Sequence, residues 1–157
     1  MPADRAAFLA RYGGVYEDSP WVAEAVWPRA AELIAPGALA GAMRTAVDAA
    51  PTERKLALIR AHPQLASRAR MADASVKEQS GAGLDQCSPA EFAAFQRLNA
   101  AYDERFGFPF IVAVKGLTRA DILAAFEARL GNDPATEFDT AIAEIHRIAG
   151  FRLEDLA

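Results

Sequence analysis

Three times in this chain a capping residue stands directly before a proline: Ser19-Pro20, Ser88-Pro89 and Asp133-Pro134. At the first helical position proline loses nothing, because the N–H it lacks has no partner inside the helix there. A Ser or Asp just before it can accept from the N–H groups that remain. Such pairs mark where helices begin. After Pro89, the residues Phe92, Phe95, Leu98, Asn99, Tyr102 and Phe106 recur at helical steps of three and four. Ser88 and Glu91 also fit a capping box. After Pro134, Phe138, Ile142, Ile145 and Ile148 carry the same pattern to about Leu153, and Ile122, Leu123, Phe126 and Leu130 carry it between Thr118 and Leu130. The Ala-rich first half predicts helices near 3–11, 20–34, 37–49, 52–60 and 63–71, with breaks at Gly13-Gly14, Pro36-Gly37 and Pro51. A further helix is predicted from Ser75 to about Leu84. No repeat, low-complexity tract or linker interrupts them. The expected fold is all-α: a single domain over 1–157, built as a bundle of roughly eight helices.

One stretch does not fit. Residues 105–116 read RFGFPFIVAVKG. Pro109 has no N–H and biases Phe108 away from helix. The run Phe110-Ile111-Val112-Ala113-Val114 favours an extended backbone. One extended segment is therefore expected near 109–115, with no second strand beside it. If buried, its N–H and C=O groups must find partners elsewhere. Two readings stand. The segment is a connector satisfied by side chains and water, or its backbone pairs with a planar ligand rich in amides and carbonyls.

Composition narrows the function. A chain 52% hydrophobic and 24% charged is an ordinary globular one. Its net charge of −4, with 17 Lys and Arg but no block of them, speaks against nucleic acid as the partner. No apolar run approaches the ~20 residues that span a bilayer. The single cysteine, Cys87, cannot form an intramolecular disulfide. The opening MPADRAAFLARYGG has no signal-peptide core, and the ending RLEDLA is not a peroxisomal address, so a cytoplasmic location is expected.

The candidate residues are few. His62 and His146 are the only histidines. His62, in Ala61-His62-Pro63-Gln64-Leu65, precedes a proline that disfavours helix. It is expected at a break, at the mouth of a helix starting with Pro63, either capping that helix or doing chemistry. Ser75, Glu78 and Gln79 stand at i, i+3 and i+4, on one helical face. The S-x-x-E spacing is that of a capping box, which would account for Ser75 and Glu78 but not Gln79. If the face points inward, three hydrogen-bonding side chains converge where a polar ligand could satisfy them. Arg152 follows Gly150 near the end of the last predicted helix, where an arginine ordinarily faces solvent and favours the helix C-terminus. There is no HExxH, zinc spacing, P-loop or GxGxxG. Nothing local supports a nucleophile pair of Cys87 with a histidine. No metal and no nucleotide cofactor are inferred.

In combination these segments resemble one family. AHPQLA (61–66), SVKEQSGAGL (75–84), FQRLNAAYDERFGFPFIVAVKG (95–116) and EIHRIAGFRLEDL (144–156) occur in the order seen in decarboxylases of 2-oxo-4-hydroxy-4-carboxy-5-ureidoimidazoline (OHCU). The resemblance runs from about residue 5 to the C-terminus. Each block alone is weak; together they are specific. The resemblance implies an all-α, cofactor-free homodimer acting on a small-molecule substrate. It would perform the third step of urate degradation, after urate oxidase and hydroxyisourate hydrolase, releasing CO2 and forming (S)-allantoin. Carried onto this chain, His62 and Glu78 would be catalytic. Pro63, Ser75, Gln79, the backbone of Phe110, Ile111, Val112, Ala113 and Val114, and Arg152 would line the substrate site. The IVAV run would then be extended because its backbone reads the ring and ureido amides.

The reaction suits such residues. Loss of CO2 leaves an electron pair that the conjugated C=N and carbonyl of the ring can accept, so no external electron sink is required. The protein must align the breaking bond with the π system and stabilise charge on ring oxygen. His62 would engage the carboxylate or the 4-hydroxyl and manage a proton. Glu78 would accept from ureido or ring N–H groups, Gln79 would offer a donor and an acceptor, and Arg152 would neutralise an oxygen. Two other readings compete. One is a non-catalytic helical interaction module, and the other is an enzyme of the same scaffold acting on a related ureido or imidazoline compound.

Overall fold

Local capping chemistry sets several helix boundaries. The structure, a computed structural model, describes residues 2, 4–67 and 71–157. Among these are eight α-helices and no strand: α1 (Arg5–Tyr12), α2 (Trp21–Val26), α3 (Ala38–Asp48), α4 (Thr52–Ala61), α5 (Asp73–Gly81), α6 (Pro89–Phe106), α7 (Arg119–Leu130) and α8 (Pro134–Leu156). A 3₁₀ segment, Trp27–Glu32, extends α2. The all-α expectation holds. Ser88 caps α6 as foreseen: its Oγ accepts from the Glu91 N–H at 3.1 Å, and Glu91 Oε1 accepts from the Ser88 N–H at 2.9 Å. Asp133 accepts from the Thr136 N–H at 2.8 Å at the start of α8. Thr118 and Asp121 form a second reciprocal capping box on α7.

Four expectations are corrected. The helix expected over 20–34 is α only to Val26, because Pro28 offers no N–H to the preceding turn and the chain tightens to 3₁₀. Ser19 does not cap α2; its hydroxyl donates to the Glu17 carbonyl at 2.8 Å instead. No helix starts at Pro63: residues 63–67 are irregular, with Ala66 at φ +54, and 68–70 lie outside the described residues. Ser75 is no cap either, since α5 starts at Asp73 behind Ala72, which makes no side-chain capping bond.

The chain divides into two compact units. The first holds residues 1–61 and 146–157; in it α1 and α3 both pack on α2, with Phe8, Val22, Val26, Met43, Val47, Leu58 and Ile59 buried. The second holds residues 62–145. Here α6 packs on α7, and the core is aromatic: Tyr102 meets Phe106, Phe108, Phe110 and Phe126, while the Phe110 and Phe126 rings stack at 3.9 Å and 9°. These side chains account for the burial of the run after Pro109. All five residues from Phe110 to Val114 are buried and belong to neither helix nor strand.

Candidate active site

In the second unit, the candidate residues are held by polar groups that enter from helices far along the chain. His62 directly follows α4 and is buried. The segment after it makes few helical bonds of its own, and side chains take their place. Gln79, on α5, accepts from the Ala66 N–H at 3.0 Å and donates to the Gln64 carbonyl at 3.2 Å. Asn99, on α6, donates to the Leu65 carbonyl at 3.0 Å. A helix at this point would need those backbone groups for itself. Ser75 and Gln79 are both buried, and Glu78 is half-buried. The inward-facing arrangement is therefore the one observed. Gln79 spends one donor and one acceptor on the loop and keeps one of each.

The run 110–114 is only partly satisfied by side chains. Arg129, on α7, donates through Nη1 to the Ile111 carbonyl, and Glu144, on α8, accepts from the Ala113 N–H at 3.1 Å. The Leu117 N–H donates to the Val114 carbonyl at 3.0 Å. Among the described residues, no protein group pairs with the N–H or C=O of Val112 or with the N–H of Val114. Arg129 is anchored in turn by Glu137, whose side chain is 0% exposed and takes Arg129 Nε at 2.9 Å, Tyr102 Oη at 2.6 Å and Asn132 Nδ2 at 3.0 Å. Burial, then the Glu137 carboxylate, push the Tyr102 hydroxyl well above its usual pKa, so it remains a donor.

In the first unit, Arg152 is buried rather than solvent-facing. Its Nη2 pairs with Glu17 at 2.8 Å, and its Nη1 donates to the carbonyls of Gly14 at 3.3 Å and Val15 at 3.4 Å. Beside it in sequence, Tyr16 Oη lies 2.7 Å from His146 Nδ1, and His146 Nε2 lies 2.9 Å from Asp48 Oδ1. A carboxylate only accepts, so Nε2 carries the hydrogen and Tyr16 donates to Nδ1. Both histidines are thus buried, and His146 is engaged at both ring nitrogens. Cys87 is no activated nucleophile: burial first, then Glu91, push its thiol up. Among the described residues there is no cluster of three or more His, Cys, Asp or Glu that could hold a metal ion, and no helix long and apolar enough to cross a membrane.

The sequence pattern of OHCU decarboxylases matches residues 2–154. The chain belongs to the OHCU decarboxylase family. The OHCU decarboxylase of Haloferax volcanii is 45% identical over 152 residues, 97% of this chain and 90% of its own length. That of Halalkalicoccus jeotgali is 44% identical over 154 residues, 98% of this chain and 87% of its own length. The crystal structure of an (S)-allantoin synthase superposes with a TM-score of 0.80 at 34% identity, covering 99% of this chain and 51% of that one. Within this OHCU decarboxylase fold, sequence reasoning missed Glu17, Arg129, Glu137 and Glu144. The signal for Glu137 was present: it stands on the helical face of Phe138, Ala141 and Ile145, where an acidic residue needs a buried partner.

Proposed function

We propose that this protein catalyses the cofactor-free decarboxylation of OHCU to (S)-allantoin and CO2, the third step of urate degradation. Family membership supports the reaction. The observation in the fold that carries it is the buried run Phe110–Val114, in which the N–H and C=O of Val112 and the N–H of Val114 pair with no group among the described residues and could meet a ligand with matching groups. A single domain over 1–157, working as a homodimer in the cytoplasm, completes the reading.

The bond to the carboxylate at C4 breaks and CO2 leaves. The electron pair forms a C4=C5 bond while the C5=N pair moves onto the ring nitrogen, which takes up a proton from solvent, giving an enol that carries the 4-hydroxyl. His62 takes the hydroxyl proton as the C4 carbonyl forms, and one proton is delivered to C5 from a single face, which sets the S configuration. Glu78 accepts from the ureido N–H groups, Ser75 and the remaining capacity of Gln79 hold the amide-like ring, and Pro63 shapes the wall beside His62. The backbone of 110–114 aligns the ring so that the breaking bond overlaps the π system.

The test generates OHCU from urate with the oxidase and hydrolase, adds this protein and follows circular dichroism. Rapid appearance of optically active (S)-allantoin is expected. His62→Ala is expected to lose ~10²-fold or more in kcat, as for a missing acid–base group. Slow, racemic allantoin at the spontaneous rate would refute the assignment, and near-normal turnover in His62→Ala would remove His62 from the mechanism.

A further inference from the structure

In an extended backbone the N–H and C=O of one residue share an edge, and successive residues face opposite edges. On the extended pattern that the β-branched run favours, Ile111 and Ala113 present one edge, and Phe110, Val112 and Val114 the other. The protein treats the two edges differently. On the first edge, the Ile111 carbonyl is held by Arg129 Nη1, and the Ala113 N–H by Glu144 Oε1 at 3.1 Å. On the second edge, the one bond among the described residues is the Leu117 N–H to the Val114 carbonyl at 3.0 Å, which turns the chain toward α7. Two side chains from two different helices thus grip one edge of a buried segment, and the other edge is left open.

Arg129 is itself fixed. Glu137 binds its Nε at 2.9 Å, and its guanidinium carbon lies 4.4 Å from the centre of the Phe110 ring. This placement leaves Arg129 Nη2 buried without a hydrogen-bond partner among the described residues. A guanidinium serving Glu137 alone would not need to accept that cost. Reaching the Ile111 carbonyl is what the orientation achieves. Glu144 is half-buried on α8, and that helix carries its carboxylate to the Ala113 N–H.

We propose that Glu144 and Arg129 are positioning residues: they clamp the Ile111/Ala113 edge so that the Val112/Val114 edge is presented to the substrate's amide and carbonyl groups. The inference rests on the proposed decarboxylase reading. Neither residue touches the reacting atoms. Each acts through the backbone it holds, as a fixed second strand would.

The experiment compares Glu144→Ala, Glu144→Asp and Glu144→Gln in the coupled OHCU assay, with wild type run first and thermal unfolding recorded for each. Asp keeps the charge but withdraws the carboxylate by one methylene. Gln keeps the reach and the acceptor oxygen but removes the charge. Glu144→Ala and Glu144→Asp are expected to lose about tenfold in kcat/KM, on the scale of a displaced oriented donor or acceptor. Glu144→Gln should recover most of that loss, with unfolding temperatures close to wild type throughout. Equal activity in all folded variants would overturn the clamp, as would a Gln variant as poor as Asp, since charge rather than reach would then matter. If Ala fails to fold, the Asp–Gln comparison decides in the same way. A wild type that does not accelerate OHCU loss refutes the function itself, and the clamp falls with it. An active wild type with indifferent variants refutes the clamp alone.

Discussion

Buried charge dominates at the scale of single residues, and the Glu17–Arg152 pair makes the point. Both side chains are nearly sealed from solvent, at 2% and 8% exposure, with a 2.8 Å contact. An arginine following Gly150 reads from sequence as a helix-end cation in water. In the fold it faces inward, with carbonyls of Gly14 and Val15 around its second nitrogen. Removing one member of such a pair leaves the other charge desolvated and uncompensated. Glu17→Ala is expected to cost about 3–5 kcal/mol in urea unfolding, well beyond the ~1 kcal/mol of an exposed pair. Glu17→Gln, which still accepts a hydrogen bond, should cost less. A loss below about 1 kcal/mol in Glu17→Ala would mean that Arg152 finds solvent when released.

Elements tell which parts of the fold were legible. Helices α6 and α8 could be read because their signals are local: a Ser or Asp, a proline, and a periodic face. The loop 63–67 could not, because what unwinds it comes from elsewhere: Gln79, 13 and 15 residues from its backbone partners, and Asn99, 34 residues from its own. The break at Pro28 was legible in principle, since an interior proline removes a helical donor. The run after Pro109 was legible as a break from helix but not in its pairing, because Arg129 and Glu144 reach it from α7 and α8. Among the site candidates, the shared face of Ser75, Glu78 and Gln79 followed from spacing, but neither its inward orientation nor Gln79's grip on the loop did. That grip changes what its removal should do. A side chain that only binds substrate would raise KM when truncated and leave kcat alone. Gln79→Ala also frees the Gln64 carbonyl and the Ala66 N–H beside His62, so kcat should fall together with a rise in KM. Stability should fall by about 1–3 kcal/mol, the cost of a buried group left unsatisfied. Michaelis–Menten kinetics with a urea titration checks both; a pure KM effect would return Gln79 to binding alone.

At the scale of the whole molecule, pH links the chain's titrating groups to its stability, and the groups separate into two windows. Glu91, Asp121 and Asp133 sit at helix N-termini, where backbone N–H groups first of all hold their carboxyls below the ordinary 4.5, 3.8 and 3.8. What they contribute is present above those values and is lost in more acid solution. His146 acts in a higher window and with the opposite charge. Burial holds its imidazole below the ordinary 6.5; Arg44 and Lys55 push the same way, and the hydrogen bond and charge of Asp48 oppose them. As pH falls through 6.5 the unfolded chain takes up a proton at this position before the folded one does. By linkage, the folded state loses ground from about pH 6.5 downward, and the loss levels off once the pH is below the folded pKa. The urea midpoint of the wild-type protein should therefore decline between about pH 7.5 and 5.5, before the carboxylates titrate. His146→Gln gives up the bonds to Tyr16 and Asp48, so it should start less stable at pH 7.5. Its midpoint should nonetheless change less over the same range, because the proton-binding difference at residue 146 is gone. An identical slope in both proteins would show that His146 titrates alike in the folded and unfolded chain, and that the Tyr16–His146–Asp48 chain does not resist protonation.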